Sequence, residues 1–214
     1  MNPRPKKLHL LRWLPMRLVL TTAPAMDGAL YLTFDDGPDP EHTSRLLDLL
    51  AAHDARATFF MLGEEVERHP RIVERMVADG HVLGNHSWNH PNFTRIQWQE
   101  QREQIDATDR MLERFDGRRE HLFRPPSGHF TPGLVLRLAR RGRNIAYWSY
   151  DSLDYQQRSS EALVHTLRAD PPRAGDVVLM HDDNAATHAA LERMLPEWRA
   201  AGFALRGLPQ RGRA

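Results

Sequence analysis

The chain has 214 residues, enough for one domain with a real core, and its 41% apolar and 27% charged residues are those of an ordinary globular protein. A net charge of +1 gives no electrostatic case for nucleic acid as a partner. With no cysteine, disulfide frameworks, zinc–thiolate sites and cysteine nucleophiles are excluded, so a transition-metal site must draw on the twelve histidines and the carboxylates.

Residues 1–28 read as a basic N-terminal arm, with Lys6, Lys7, Arg12 and Arg17 set among Leu8, Leu10, Leu11, Trp13, Leu14 and Leu18. Arg12, Pro15 and Arg17 interrupt the roughly 7–15 apolar residues of a secretory signal, and nothing approaches the ~20 of a transmembrane helix. Two readings stay open: an arm folded onto the domain, or a peripheral membrane contact of the amphipathic kind. Either places the protein in the cytoplasm or at a membrane surface. Residues 29–208 read as one catalytic domain and 209–214 as a tail.

Ala29–Phe34 is the first clear strand, and a helix over Glu41–His53 follows with Leu46, Leu47, Leu49 and Leu50 on one face. A Phe-rich strand covers Ala57–Leu62. Pro70 opens a helix that Gly80 closes, and a strand follows at His81–Gly84. The longest helix is predicted over Ile96–Phe115, then a strand at Leu122–Arg124. Thr131 and Pro132 suit the cap and first position of a helix ending near Gly142. A strand at Asn144–Trp148, a helix at Ser160–Ala169, a strand at Asp176–Met180, a helix at Thr187–Arg199 and a seventh strand at Phe203–Arg206 complete the chain.

Short apolar strands alternating with amphipathic helices predict an α/β fold with a parallel, helix-covered sheet. Five strand ends carry unusual polar residues: Asp35-Asp36-Gly37, His86 to His90, Arg124 to Gly128, Asp151 to Tyr155, and His181-Asp182-Asp183. In a barrel these C-terminal ends converge on one face, whereas the outer strands of an open sheet stay far apart. We therefore expect a distorted, incomplete, TIM-like (β/α) barrel of about seven parallel strands.

His86 and His90, four apart, would face the same way on a helical turn and could share an ion, with the Asp35-Asp36 pair supplying a carboxylate. His181 follows four apolar residues at the mouth of the core, where a lone histidine is more often structural. Arg124 and Asp154 read first as ion-pair partners. His42, His53, His69, His165 and His188 read as surface or packing residues, and Asp182 and Asp183 as cap or turn residues.

Together the motifs Thr33-Phe34-Asp35-Asp36-Gly37-Pro38, His86-Ser87-Trp88-Asn89-His90, Arg124-Pro125-Pro126-Ser127-Gly128, Asp151-Ser152-Leu153-Asp154-Tyr155 and Leu179-Met180-His181 resemble the polysaccharide deacetylases of carbohydrate esterase family four, over about residues 29–206. The resemblance implies a hydrolase of linear amides that removes N-acetyl groups from N-acetylglucosamine-containing glycans or glycolipids. It implies a divalent metal, usually Zn²⁺, on Asp36, His86 and His90, with Asp35 as base toward the attacking water and His181 as acid toward the departing amine. Arg124 would tune Asp35 and Asp154 would tune His181. Leu179 and Tyr155 would wall the acetyl pocket, and the Ser127 backbone N–H would face the oxyanion.

The family usually has Tyr at Ser127 and often Trp at Tyr155, so a less apolar acyl pocket is expected here, with His129 a further candidate for substrate contact. The chain shows no carbohydrate-binding module, which favours a smaller or lipid-linked saccharide as substrate. Two alternatives are an O-acetyl esterase on acetylated polysaccharide and a catalytically inactive glycan-binding homologue.

Overall fold

The computed structural model describes residues 3–156 and 159–210, so most of the expected tail at 209–214 lies outside the described residues. In chain order the elements are α1 (Leu8–Leu11), β1 (Val19–Leu20), β2 (Ala29–Asp35), α2 (Thr43–Ala52), β3 (Thr58–Met61), α3 (Gly63–Arg68), α4 (Pro70–Ala78), β4 (Val82–Asn85), α5 (Trp98–Asp116) and β5 (Leu122–Phe123). Then follow α6 (Pro132–Arg140), β6 (Ile145–Ala146), β7 (Tyr150–Asp151), α7 (Ser160–Ala169), β8 (Val177–His181), α8 (Ala185–Ala200) and β9 (Ala204–Arg206). Thr131 caps α6 as the sequence suggests, accepting from the Leu134 N–H, and Ser159 and Asn184 cap α7 and α8 by accepting from the N–H of Ala162 and Thr187.

One parallel sheet runs β1-β6-β5-β4-β3-β2-β8-β7, with β9 beside the first half of β2. Its ends meet. β6 lies near one end of that path and β7 at the other, yet only Tyr147, Trp148 and Ser149 separate them in sequence. So short a connection, at roughly 3.3–3.6 Å per residue, requires the sheet to curl into an incomplete barrel. Tyr147 N–H donates to Leu20 of β1, and Ser149 N–H donates to Val177 of β8, so the chain changes edges at Trp148. A bridge from Thr22 to Asp176 ties the same seam at its base.

Among the described residues the sheet has nine strands, two more than the seven expected, because two short ones were not separately expected. The expected strand at Asn144–Trp148 breaks after Ala146, and its continuation is β7 on the opposite edge. β1 comes from the expected arm: Val19 and Leu20 are buried and pair with Ile145 and Ala146. The sheet therefore begins ahead of Ala29.

The pleat sorts side chains between two cores. Leu30, Leu32 and Phe34 of β2 pack outward under the helices with Leu46, Leu47, Leu50 and Met180, while Tyr31 packs inside the barrel with Phe60, Val177 and Leu179. The same alternation carries Asp35 and His181 inward, and these two are register partners across β2 and β8.

Below the barrel, His121 lies between two carboxylates, with Nδ1 3.2 Å from Asp109 and Nε2 3.2 Å from Asp116. Arg143 also binds Asp109, 2.5 Å away, and Asn85 donates to it at 2.8 Å. Burial alone would lower the His121 pKa, but its two carboxylate partners outweigh burial and raise it. A raised folded-state pKa stabilises fully below the unfolded value of about 6.5 and is lost as pH rises through the folded one. His121→Gln should therefore lower Tm near pH 6 by about 4–8 °C, for a loss of about 2 kcal/mol, with the gap to wild type narrowing at alkaline pH. Scanning fluorimetry from pH 5 to 9 measures this; a gap constant with pH would show a neutral imidazole.

Candidate active site

Asp35 ends β2 and Asp36 follows it, and continued strand alternation would send them to opposite faces. Asp36 instead adopts φ 77, a left-handed conformation that Asp tolerates, and this turns its carboxylate back over the barrel mouth. The turn is held from beneath. A Cβ at Gly37 would lie 2.2 Å from an oxygen of Asp182, which is why the smallest residue stands there. Asp182 is no solvent-facing cap or turn residue: it is buried, accepts from Thr43 Oγ1 at 2.6 Å, and burial pushes its pKa up to about 7.

His86 and His90 do converge, by another route than the expected helical turn. Residues 86–90 form an irregular loop after β4, with Ser87 at φ 73 and His90 at φ 59. Asn85 accepts from the Ser87 N–H at 2.9 Å while donating to Asp109, so the loop is pinned to the charge network below. The His86 Nε2 lies 3.4 Å and the His90 Nε2 3.6 Å from Asp36 Oδ1.

The Arg124 carbonyl, which can only accept, sits 2.8 Å from His86 Nδ1. The proton is therefore on Nδ1, and the Nε2 lone pair faces Asp36. Burial pushes the His86 pKa down to about 3 against the pull of Asp36, so the ring is neutral, as a ligand must be.

These residues fit a divalent cation. Asp36 Oδ1 is buried with no hydrogen-bond partner, and one donor atom from each of Asp36, His86 and His90 lies within 4.8 Å of the others. Two imidazoles and one carboxylate leave positions open for water and substrate.

On either side of this triad stand two paired groups. Arg124, fully buried, donates to Asp35 at 2.6 Å and to Thr33 Oγ1 at 2.9 Å, with its guanidinium 4.0 Å from the Phe60 ring centre. Burial raises the Asp35 pKa, and Arg124 followed by His181 opposes the rise. Asp154 accepts from His181 Nδ1 at 2.8 Å, and its other oxygen accepts from the His181 N–H and Thr187 Oγ1. Burial favours neutral His181, but the Asp154 bond and charge, with those of Asp35 and Asp36, push its pKa up to about 10.

A cleft of about 400 Å³ opens over these groups, lined among others by Ser127, Trp148, Asp151, Tyr155 and Leu179. A second, of about 500 Å³, continues past Tyr155 and His181 toward Asp183 and Asn184.

Residues 23–146 match the family model described as polysaccharide deacetylase. The chain belongs to the polysaccharide deacetylase family. It is 34% identical to a peptidoglycan-N-acetylglucosamine deacetylase of Bacillus cereus, over 92% of this chain and 74% of that protein. It is 33% identical to a chitooligosaccharide deacetylase of Sinorhizobium fredii, over 96% of this chain and 99% of that one. A crystallised peptidoglycan N-acetylglucosamine deacetylase, 32% identical, superposes with a TM-score of 0.85 over 93% of this chain and 94% of its own.

Every residue singled out from the sequence as a ligand, acid–base group or wall stands at the mouth of this deacetylase barrel. Arg124 and Asp154 are not partners of each other; each holds a different acid–base candidate. Ser127, at φ 52, and His129 are both exposed on the cleft rim.

Two site residues were not found from sequence. Trp148, read as the end of a strand, is a cleft wall stacked on Tyr147 with ring centres 4.0 Å apart. A Cβ at Gly128 would meet its ring at 2.4 Å, so this wall rests directly on backbone. Asp151 also lines the cleft, and burial pushes its pKa up to about 6. The signal was its place at the head of the Asp151–Tyr155 motif, three residues before Asp154, where the sequence reading gave it no role.

Proposed function

We propose that this deacetylase hydrolyses the N-acetyl group of N-acetylglucosamine units in a glycan, using Zn²⁺ held by Asp36, His86 and His90. The observation that carries the reading is the unpartnered, buried Asp36 Oδ1 between two imidazoles, flanked by Asp35 and His181 in cross-strand register. The named activities of the Bacillus and Sinorhizobium relatives support the sugar. A divalent ion there would polarise the acetamide carbonyl and acidify water, and the donor set suits zinc.

The chain's own groups supply the rest. Asp35 takes the proton of the attacking water, its pKa lifted toward a useful basicity by burial and held in check by Arg124. Water oxygen bonds to the carbonyl carbon, and the Ser127 N–H donates to the oxygen that gains charge. His181 then gives a proton to the nitrogen as the C–N bond breaks, leaving acetate and a free amine. Asp154 keeps that imidazole oriented with Nε2 toward the site. Leu179 and Trp148 enclose the methyl group, and Asp151 accepts from a sugar hydroxyl.

Acetate release from N-acetylchitooligosaccharides tests the proposal. We expect activity to vanish with chelator and to return on adding Zn²⁺. Release unaffected by complete metal removal would overturn the metal assignment. No release with metal bound would make the protein an inactive glycan binder or assign it another acyl group.

A further inference from the structure

We propose that the N-terminal arm docks this protein onto an anionic lipid surface. The arm is divided between two apolar faces. Leu8, Leu11 and Val19 are buried against the barrel, whereas Leu10, Trp13 and Met16 expose 76%, 88% and 50% of their surface. Leu14 is also exposed. Four large apolar side chains exposed within seven residues are more than a monomeric soluble protein usually leaves to water. Among the described residues, no helix is long and apolar enough to cross a membrane.

Charge selects the occupant. Between Pro3 and Met26 there are five Lys and Arg and no Asp or Glu. The rest of the chain carries 24 Lys and Arg against 28 Asp and Glu, so a net +1 molecule is a basic arm on an acidic body. Arg4 is bound to Asp176, but Lys6, Lys7, Arg12 and Arg17 are free of ion pairs among the described residues, and all four are exposed. A tryptophan and aliphatic side chains ringed by unpaired cations match the interface of an anionic bilayer, where indole sits at headgroup level and each cation adds attraction. A neutral glycan would use the rings and leave the charges without purpose.

The patch has a fixed orientation. Asn144, just before β6, donates to the Met16 carbonyl, and Ile145 N–H donates to Leu18. Arg4 binds Asp176, just before β8. The exposed stretch around Met16 therefore lies toward the N-terminal end of β6, while the start of the arm runs along β7, where the Pro3 carbonyl accepts from the Asp151 N–H.

The test is co-sedimentation of the intact protein with vesicles rich in phosphatidylglycerol, beside pure phosphatidylcholine. Thermal melting would verify that each variant is folded, so the outcome does not depend on the assigned activity. We expect binding to the anionic vesicles only, weakening as salt rises. Lys6→Glu with Lys7→Glu should reduce it at least about 30-fold, and Leu10→Ser with Trp13→Ser should abolish it. Absence of binding to anionic vesicles would overturn the proposal, as would equal binding to neutral ones. A dimer in sedimentation equilibrium that Trp13→Ser dissolves would also overturn it, by assigning the patch to a second copy of the chain.

Discussion

Asp35→Asn should reduce acetate release by about 10²–10⁴-fold while Zn²⁺ affinity stays within a few-fold of wild type. Asp35 is not needed as a ligand: the three donor atoms that converge belong to Asp36, His86 and His90, and the nearest Asp35 oxygen is 3.7 Å from His86 Nε2. Asn keeps an oxygen that can accept from Arg124 but cannot take a proton. It also leaves the fully buried guanidinium without its counter-charge. Removing one partner of a buried pair outright costs about 3–5 kcal/mol, and the retained acceptor should hold the loss below that. A lower Tm is thus expected, and activity must be read well below it. Equilibrium competition with a chromogenic chelator measures the ion. Loss of both metal and activity would make Asp35 a ligand or a structural support.

His181→Ala should separate two substrates. Cleaving an acetamide requires that the departing nitrogen be protonated, whereas a nitrophenolate leaves without help. We expect a loss of about 10²–10⁴-fold on N-acetylchitooligosaccharide but less than about tenfold on 4-nitrophenyl acetate. Asp154→Asn should reproduce the pattern in weaker form, because the carboxylate that accepts from His181 Nδ1 at 2.8 Å is replaced by a group that can present N–H instead. Equal losses on both substrates would mean that His181 stabilises the oxyanion or the ion rather than the leaving group.

Much of this site was readable because its residues end strands whose apolar runs are clear. Leu30 to Phe34 and Val177 to Met180 locate β2 and β8, and the pleat then dictates that Asp35 and His181 point inward. What could not be read has physical reasons. β1 and β7 are two residues long, too short to carry any period, and β1 lies within a basic stretch. Ser87, His90, Asp36 and Ser127 take positive φ with side chains that do not announce it. The burial of Asp182 depends on contact with Gly37, which lies on another strand end. α3 has only Val66 as a large buried side chain, so no apolar stripe marked it.

The crossing at Tyr147–Ser149 has an implication for how such a pocket diversifies. Trp148 stands on the joint of the ring, between one residue bonded to Leu20 and another bonded to Val177. The groups we propose to hold the ion and move protons are rooted elsewhere, at the ends of β2 and β8 and in the loop after β4. Acyl tolerance and reactivity are thus lodged in separable parts of one scaffold. Re-spacing two edges at the joint alters the room beside the methyl group, and leaves the chemistry on the neighbouring strands as it was.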